Sequence, residues 1–154
     1  MTAINRQVFR KGTPNFISVK VLYSQAIKVG EMLEIPAAGG YATPVNAASD
    51  NATLYAIADE AHAALAADDG KEHYVRGIIP DPSCVFEFPI YGTPNLVPGS
   101  GLSMKDSQTL QLASTDHVAI ATQIKNDATL CEVVFLTPPI WGGASQNTSF
   151  TSAA

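Results

Sequence analysis

The 154-residue sequence predicts an all-β fold, either a small β-barrel or a β-sandwich, with at most one short helix. Short apolar segments with two-residue alternation recur along it, turn residues separate them, and helix-favouring segments are almost absent. A hydrophobic content of 46% with 15% charged residues is typical of a folded chain. We expect one β domain at residues 17–137, an extended N-terminal arm at 1–16 and a C-terminal tail at 138–154.

The N-terminal arm is basic, whereas the rest of the chain is acidic. Residues 1–30 hold five basic residues and no acid, and residues 31–154 hold the other four basic residues and all fourteen acids. Such an arm could clamp an acidic neighbour, for example a second copy of the chain, and the alternative is a solvated, frayed terminus. Nucleic-acid binding is not expected, because the basic residues form no run and have no aromatic partners.

The first half of the domain is predicted to contain short strands and one short helix. Alternation in Ile17–Tyr23 places Ser18 and Lys20 outward. The further predicted strands are Gln25–Val29, Met32–Ile35 and His73–Ile79. Between them, Tyr41–Val45 is expected to be briefly extended and Thr53–Ala58 is a compact apolar segment. Ala61–Ala67 is the one segment with helix propensity, at most two turns before Gly70.

The segment Ser83–Tyr91 is the predicted centre of the core. Cys84, Phe86 and Phe88 fall on one face of this strand, and Pro89 marks its end, a bulge or a sheet edge. A second Cys-x-φ-x-Phe pattern, where φ is an apolar residue, occurs near the end of the domain. We therefore expect Cys84, Phe86 and Phe88 to face Cys131, Val133 and Phe135. Both cysteines are predicted to be buried, reduced thiols, with a disulfide as the alternative.

The remaining elements follow from turn signals. Gly92–Ser107 contains two prolines and several glycines, which predicts a long surface loop. Three strands are predicted after it, at Thr109–Leu112, Val118–Ile124 and Leu130–Leu136. Asn126-Asp127 is a suitable turn for a hairpin of the last two.

No catalytic or cofactor-binding signature is found. The densest polar cluster is predicted to be a solvated acidic loop, since its spacing matches no cation-binding motif. Its members are Asp59, Glu60, His62, Asp68, Asp69, Glu72 and His73. The glycines at 39–40 and 99–101 lack the Lys-Ser/Thr of phosphate loops, there is no G-x-S-x-G, and Asp116-His117 is better explained as a turn pair. We therefore expect a non-enzyme without catalytic, metal or cofactor sites.

Targeting signals are also not evident. No apolar run approaches the ~20 residues of a membrane span, and Met1–Lys11 lacks the apolar segment of a signal peptide. We expect a soluble protein made in the cytosol of its producer, with no membrane partner.

Trp141 is the only tryptophan and lies outside the predicted domain, between Pro139 and Gly142. A large aromatic side chain on a tail is a common anchor at an interface, and the alternative is packing on its own domain. The first interpretation predicts that truncation after Leu136 preserves folding and weakens assembly.

Two motifs resemble the head decoration, or capsid cement, proteins of tailed bacteriophages. Val29–Ile35 is similar to an early x-G-[DE]-φ-φ-x-φ strand of that family, and Leu54–Glu60 is similar to its φ-φ-G-I-A-[DE]-[DE] segment. Later strands follow in the expected order, so that the resemblance covers roughly residues 17–136.

The resemblance implies a non-enzymatic virion protein made in the host cytoplasm. Such proteins bind the outer surface of the expanded capsid and cement neighbouring major capsid protein subunits, often as dimers or trimers. With this role, the two ends of the chain become the candidate contacts with the capsid or with a second copy: Arg6, Phe9, Arg10, Lys11 and Trp141. The alternatives are a carbohydrate- or receptor-binding virion appendage and a small β-rich nucleotide hydrolase, for which no nucleotide motif is found.

Overall fold

The computed structural model describes residues 4–35, 40–46, 49, 51–92, 95–113, 116–124 and 130–143. In these residues the chain is built from strands and two short 3₁₀ turns, Asn51–Thr53 and Pro139–Trp141. The strands are β1 (Phe9–Gly12), β2 (Phe16–Val21), β3 (Met32–Glu34), β4 (Thr43–Pro44), β5 (Leu54–Ala58), β6 (His73–Ile78), β7 (Cys84–Pro89), β8 (Gly101–Asp106), β9 (Thr109–Leu112), β10 (Ala119–Ile124) and β11 (Leu130–Phe135). No helix in the described ranges is long and apolar enough to span a membrane.

The strands form two antiparallel sheets. Sheet A has the order β1-β7-β11-β10-β8-β9, and sheet B has the order β2-β6-β5-β3-β4. One isolated parallel bridge joins Ile90 to Leu110 of β9, but sheet A does not close into a barrel. The predicted all-β class is therefore confirmed, and the sandwich is the architecture that fits.

The centre of the core is β7, as its alternation predicts. Phe86, Phe88 and Phe135 are fully buried, and the ring of Phe135 meets the other two edge-on at centroid distances of 5.5 and 5.7 Å. Strands β7 and β11 pair antiparallel, with Val133 opposite Phe86. The two Cys-x-φ-x-Phe patterns do contribute to one core, as predicted, but their residues lie side by side on one face of sheet A rather than opposite each other across the core.

The same pairing keeps the two cysteines apart. Cys131 lies opposite Phe88, four residues along β7 from Cys84. Four residues of strand span about 13 Å, whereas the Cα atoms of a disulfide lie within about 7 Å. Both cysteines are buried, free thiols in the structure.

We predict that both thiols resist modification in the folded protein. Burial raises the pKa of Cys84, and burial followed by the nearby Glu132 charge raises the pKa of Cys131 to about 11. Because the thiolate is the reactive form, Ellman's reagent at about pH 8 should label neither thiol in the native protein. The same reagent should label both in concentrated guanidinium chloride. Fewer than two reactive thiols in the denatured protein would contradict the description of Cys84 and Cys131 as free thiols.

The predicted helix at Ala61–Ala67 is wrong, because this segment is an irregular connection. The backbone of His62 instead exchanges two hydrogen bonds with Ile27, each 2.9 Å long. A helix of two turns is unfavourable on its own because helix nucleation is costly. The bridge therefore determines the conformation of this segment despite the helix propensity of its alanines. The predicted strand Gln25–Val29 is reduced to the same isolated bridge.

The predicted loop Gly92–Ser107 is wrong in its second half, which forms β8. Leu102 is fully buried, and a Cβ atom on Gly101 would overlap the ring of His117. Gly101 therefore serves close packing inside a strand rather than a turn. The predicted turn at Asn126-Asp127 lies outside the described residues, although β10 and β11 do pair antiparallel.

Candidate interaction surface

The two faces of sheet B have different neighbours. Met32, Ile57 and Ile78 belong to the core cluster that sheet B shares with sheet A. The opposite face contributes to a second buried cluster, composed of Val19, Val21, Ile27, Leu33, Ala42, Ala56, Ala58 and Val75. Apolar residues are thus buried on both sides of this sheet.

Part of the first face is nevertheless uncovered. Along β2 and β6, the buried Val19, Val21 and Val75 alternate with side chains that are exposed. The exposed set, which we call the β2 surface, consists of Phe16, Ser18, Lys20, Tyr74 and Arg76. Antiparallel pairing places Ser18 opposite Arg76 and Lys20 opposite Tyr74. The β2 surface is therefore a continuous patch on the same side as Ile78, where sheet A no longer covers sheet B.

The centre of the β2 surface is aromatic. Phe16 and Tyr74 are 54% and 49% exposed, so the patch contains two solvent-accessible aromatic rings. The Arg76 guanidinium lies 5.2 Å from the centroid of the Phe16 ring. Together with Glu60, these residues line a shallow groove of about 300 Å³.

The charges beside this groove are mostly paired within the chain. Arg76 contacts Asp59 at 2.8 Å, and Lys20 lies 3.6 Å from Glu72. The Tyr74 hydroxyl donates a 2.8 Å hydrogen bond to Glu72, which lowers the pKa of that carboxyl group and raises the pKa of the tyrosine. The patch thus presents exposed aromatic rings surrounded by charged side chains that are paired with one another. Aromatic rings with a polar rim are typical of protein interfaces.

The outer edge of β2, beside this patch, is contacted at one position and unpaired at the next. The Lys20 carbonyl points away from β6, because it accepts a 2.9 Å hydrogen bond from the Ala42 amide. In an antiparallel strand, groups two residues apart point to the same side, so the Ser18 amide and carbonyl also face outward. Within the described residues they have no hydrogen-bond partner. Unpaired groups of this kind are a template for an added strand.

The other sheet edges are less accessible in the described part of the chain. Strand β4 has two residues and ends in Pro44, and β1 carries a bulge and the charged residues Arg10 and Lys11. The Tyr91 amide already bonds to Leu110 of β9. Prolines, charges, bulges and covering segments all discourage strand addition. Strand β2 is itself contacted at Lys20 by the Ala42 amide, which leaves its Ser18 end as the candidate edge.

The predicted N-terminal contacts lie against the protein's own body. The Gln108 side chain bonds both the amide and the carbonyl of Ile4, and the Arg6 amide donates to Val29. Phe9 belongs to strand β1, and its ring packs edge-on against the Phe86 ring at a centroid distance of 6.1 Å. Residues from Ile4 to Gly12 are thus attached to the two sheets.

The basic side chains of this segment differ in their surroundings. Arg10 contacts Glu87 at 3.0 Å, whereas Lys11 is exposed. Neither belongs to the β2 surface, because β1 lies at the edge of sheet A.

Trp141 also packs on its own domain. A register shift between Leu33 and Glu34 leaves Tyr55 as an extra residue in β5. The indole N–H of Trp141 donates a 2.6 Å hydrogen bond to the Tyr55 carbonyl, and the two rings lie 5.1 Å apart. The tryptophan thus satisfies a backbone group at the bulge, as the alternative interpretation of the sequence anticipates.

We predict that Trp141→Phe lowers the free energy of unfolding by about 1–3 kcal/mol, because it removes the donor to the Tyr55 carbonyl and retains an aromatic ring. Urea unfolding followed by far-UV circular dichroism would measure this. Ile140→Ala is the matched control, since Ile140 is 55% exposed and should change stability by less than about 0.5 kcal/mol. Equal stability of Trp141→Phe and the wild type would show that the indole contact does not stabilise the domain.

The described residues contain no group of three or more His, Cys, Asp or Glu side chains placed to hold a metal ion. No protein-family model matches the chain, and comparison with curated proteins finds no significant match. Function is therefore inferred from the motifs and from the β2 surface.

Proposed function

We propose that this protein is a structural virion protein that binds the outer surface of an expanded phage capsid and cements neighbouring major capsid protein subunits. The main support is the β2 surface, where an aromatic groove adjoins the partly open edge of β2 at Ser18. The motifs at Val29–Ile35 and Leu54–Glu60, which resemble those of capsid cement proteins, agree with this role.

The β2 surface would act by holding an extended segment of the major capsid protein. The Ser18 backbone would add that segment to sheet B as a further strand, and Phe16 and Tyr74 would cover its side chains. Main-chain hydrogen bonds supply affinity in this mode, and the groove supplies selectivity.

Cementing requires that each copy, or a dimer or trimer of copies, touches more than one capsid subunit. Lys11 on β1 is an exposed cation away from the β2 surface and is a candidate for a second contact. Many weak contacts repeated over a shell give high avidity without any single strong site.

Co-sedimentation with capsids tests the proposal. The protein should pellet with expanded shells of its phage and remain in the supernatant with unexpanded shells, since expansion creates the outer binding sites. Binding to neither form would refute the proposed function.

One observation favours a second function, a carbohydrate-binding or receptor-binding virion module. Exposed aromatic rings in a groove are suited to stacking on apolar sugar faces, and Phe16 and Tyr74 provide such rings. Glycan-array binding that is lost in Tyr74→Ala would support this alternative over cementing.

A further inference from the structure

Two histidines and an aspartate form a hydrogen-bonded series beside the β2 surface. His62 Nδ1 lies 2.6 Å from the Gln25 carbonyl oxygen, and His62 Nε2 lies 3.2 Å from His73 Nδ1. His73 Nε2 in turn lies 2.9 Å from Asp69 Oδ1. We call this series the histidine clasp.

The histidine clasp connects three segments around sheet B: the start of β6, the β5–β6 connection and the segment after β2. His73 is the first residue of β6 and pairs with Val21 of β2. His62 lies in the connection between β5 and β6, and Gln25 lies in the segment after β2. The clasp therefore fastens the β5–β6 connection to the sheet next to Tyr74.

The number of protons in the clasp follows from the hydrogen-bond acceptors at its two ends, the Gln25 carbonyl and the Asp69 carboxylate. A carbonyl oxygen and a carboxylate can only accept hydrogen bonds, so all three bonds must be made with protons on ring nitrogens. Two neutral imidazoles carry one N–H each and can make only two of the three bonds. The complete clasp requires one additional proton.

We propose that His62 and His73 jointly hold one extra proton in the folded protein, which makes the clasp a pH-sensitive fastener of the β5–β6 connection. Loss of that proton at higher pH removes one of the three bonds. This inference is independent of the proposed function, because it rests only on the geometry of the clasp.

The state of Asp69 supports the proton count. The hydrogen bond from His73, followed by one from the Lys71 amide, lowers the pKa of Asp69 below its ordinary value. Asp69 is therefore an ionised acceptor at neutral pH.

Among the residues that the structure describes, the other ionisable groups near the clasp make their hydrogen bonds and ion pairs elsewhere. The ionisable residues that line the cavity of about 160 Å³ beside His73 are Lys20, Tyr23, Tyr41, Asp68, Lys71 and Glu72. Lys20 and Glu72 form an ion pair, and Asp68 bonds to the Gly70 amide. Asp69 is thus the carboxylate that sets the proton count.

The sign of the pH effect follows from the protons bound in each state. In the unfolded chain, two separate histidines each titrate at about pH 6.5, so they pass from two protons to none. In the folded protein, the three bonds of the clasp require one proton more than two neutral rings carry. The contribution of the clasp to stability should therefore be greatest near about pH 6.5 and should fall as the pH rises, because there the folded state binds more protons than the unfolded pair.

Asp69→Asn tests this directly. An amide can donate to His73 Nε2, so that two neutral imidazoles then complete all three bonds. We expect the wild-type Tm to fall by about 3 °C more than the Tm of Asp69→Asn between about pH 6.5 and pH 8.5. The difference isolates the clasp, because the raised thiol pKa values lower the stability of both proteins over this range. Asp68→Asn is the matched control, since it removes a neighbouring carboxylate and should keep the wild-type pH dependence.

A direct proton count makes the test independent of the variants. Long-range ¹H–¹⁵N NMR of histidine-labelled wild-type protein at about pH 6.5 should show three protonated nitrogens among the four of His62 and His73. Two protonated nitrogens at that pH would overturn the proposal. Equal effects of Asp68→Asn and Asp69→Asn on the pH dependence would also overturn it.

Discussion

Replacing Phe86 with alanine is expected to lower the free energy of unfolding by about 3–5 kcal/mol, the range for truncating a fully buried phenylalanine. Phe86 is fully buried and contacts the rings of Phe9, Phe88 and Phe135. The loss would therefore leave a cavity where β1, β7 and β11 meet. Urea unfolding followed by Trp141 fluorescence would measure it.

Val85→Ala is the matched control for Phe86→Ala. Val85 is the preceding residue on the same strand, but it points to the other face and is half-buried. We expect it to lower the free energy of unfolding by no more than about 1.5 kcal/mol. Similar losses for the two variants would contradict the position of β7 at the centre of the core.

Ser18→Pro is expected to weaken binding to expanded capsids by at least about tenfold, since each lost 1.4 kcal/mol of binding free energy reduces affinity tenfold. Proline removes the outward Ser18 amide proton and places its ring along the open edge of β2. It should change the free energy of unfolding by less than about 1 kcal/mol, because that amide has no partner in the described structure and proline is tolerated on edge strands.

Ser18→Ala separates the backbone effect from a side-chain effect. Alanine retains the amide proton, so this variant should bind capsids like the wild type. If Ser18→Pro binds equally well, strand addition at β2 is wrong, although another surface could still cement the capsid. If both variants lose binding, the serine hydroxyl rather than the backbone makes the contact.

Local alternation was sufficient to predict most of sheet B and the centre of the core. Ile17–Tyr23 and Ser83–Tyr91 alternate with a period of two because one face of each is buried, and the structure contains β2 and β7 there. The shared Cys-x-φ-x-Phe pattern also identified the residues of β7 and β11 that lie on the buried face of sheet A.

The features missed by the sequence depend on contacts between distant residues. Ala61–Ala67 has helix propensity, but the bridge from His62 to Ile27 determines its conformation. Gly101 has the composition of a turn, but its missing Cβ makes room for the ring of His117. Such effects are not visible within a short window of sequence.

The candidate surface was only partly predictable. Alternation places Ser18 and Lys20 outward, whereas Phe16 was assigned to the arm and Tyr74 was not singled out. Their exposure depends on how far sheet A extends over sheet B, which follows from strand order rather than from local pattern. Trp141 depends similarly on the bulge at Tyr55, which no neighbouring residue reveals.

The most direct test of the cementing proposal is a cryo-EM reconstruction of expanded capsids saturated with this protein. The account predicts added density on the outer surface, bridging neighbouring subunits, with the β2 surface against a capsid segment that continues sheet B beyond Ser18. Density in which Phe16 and Tyr74 face solvent would contradict the assigned surface, and shells without added density would contradict the function itself.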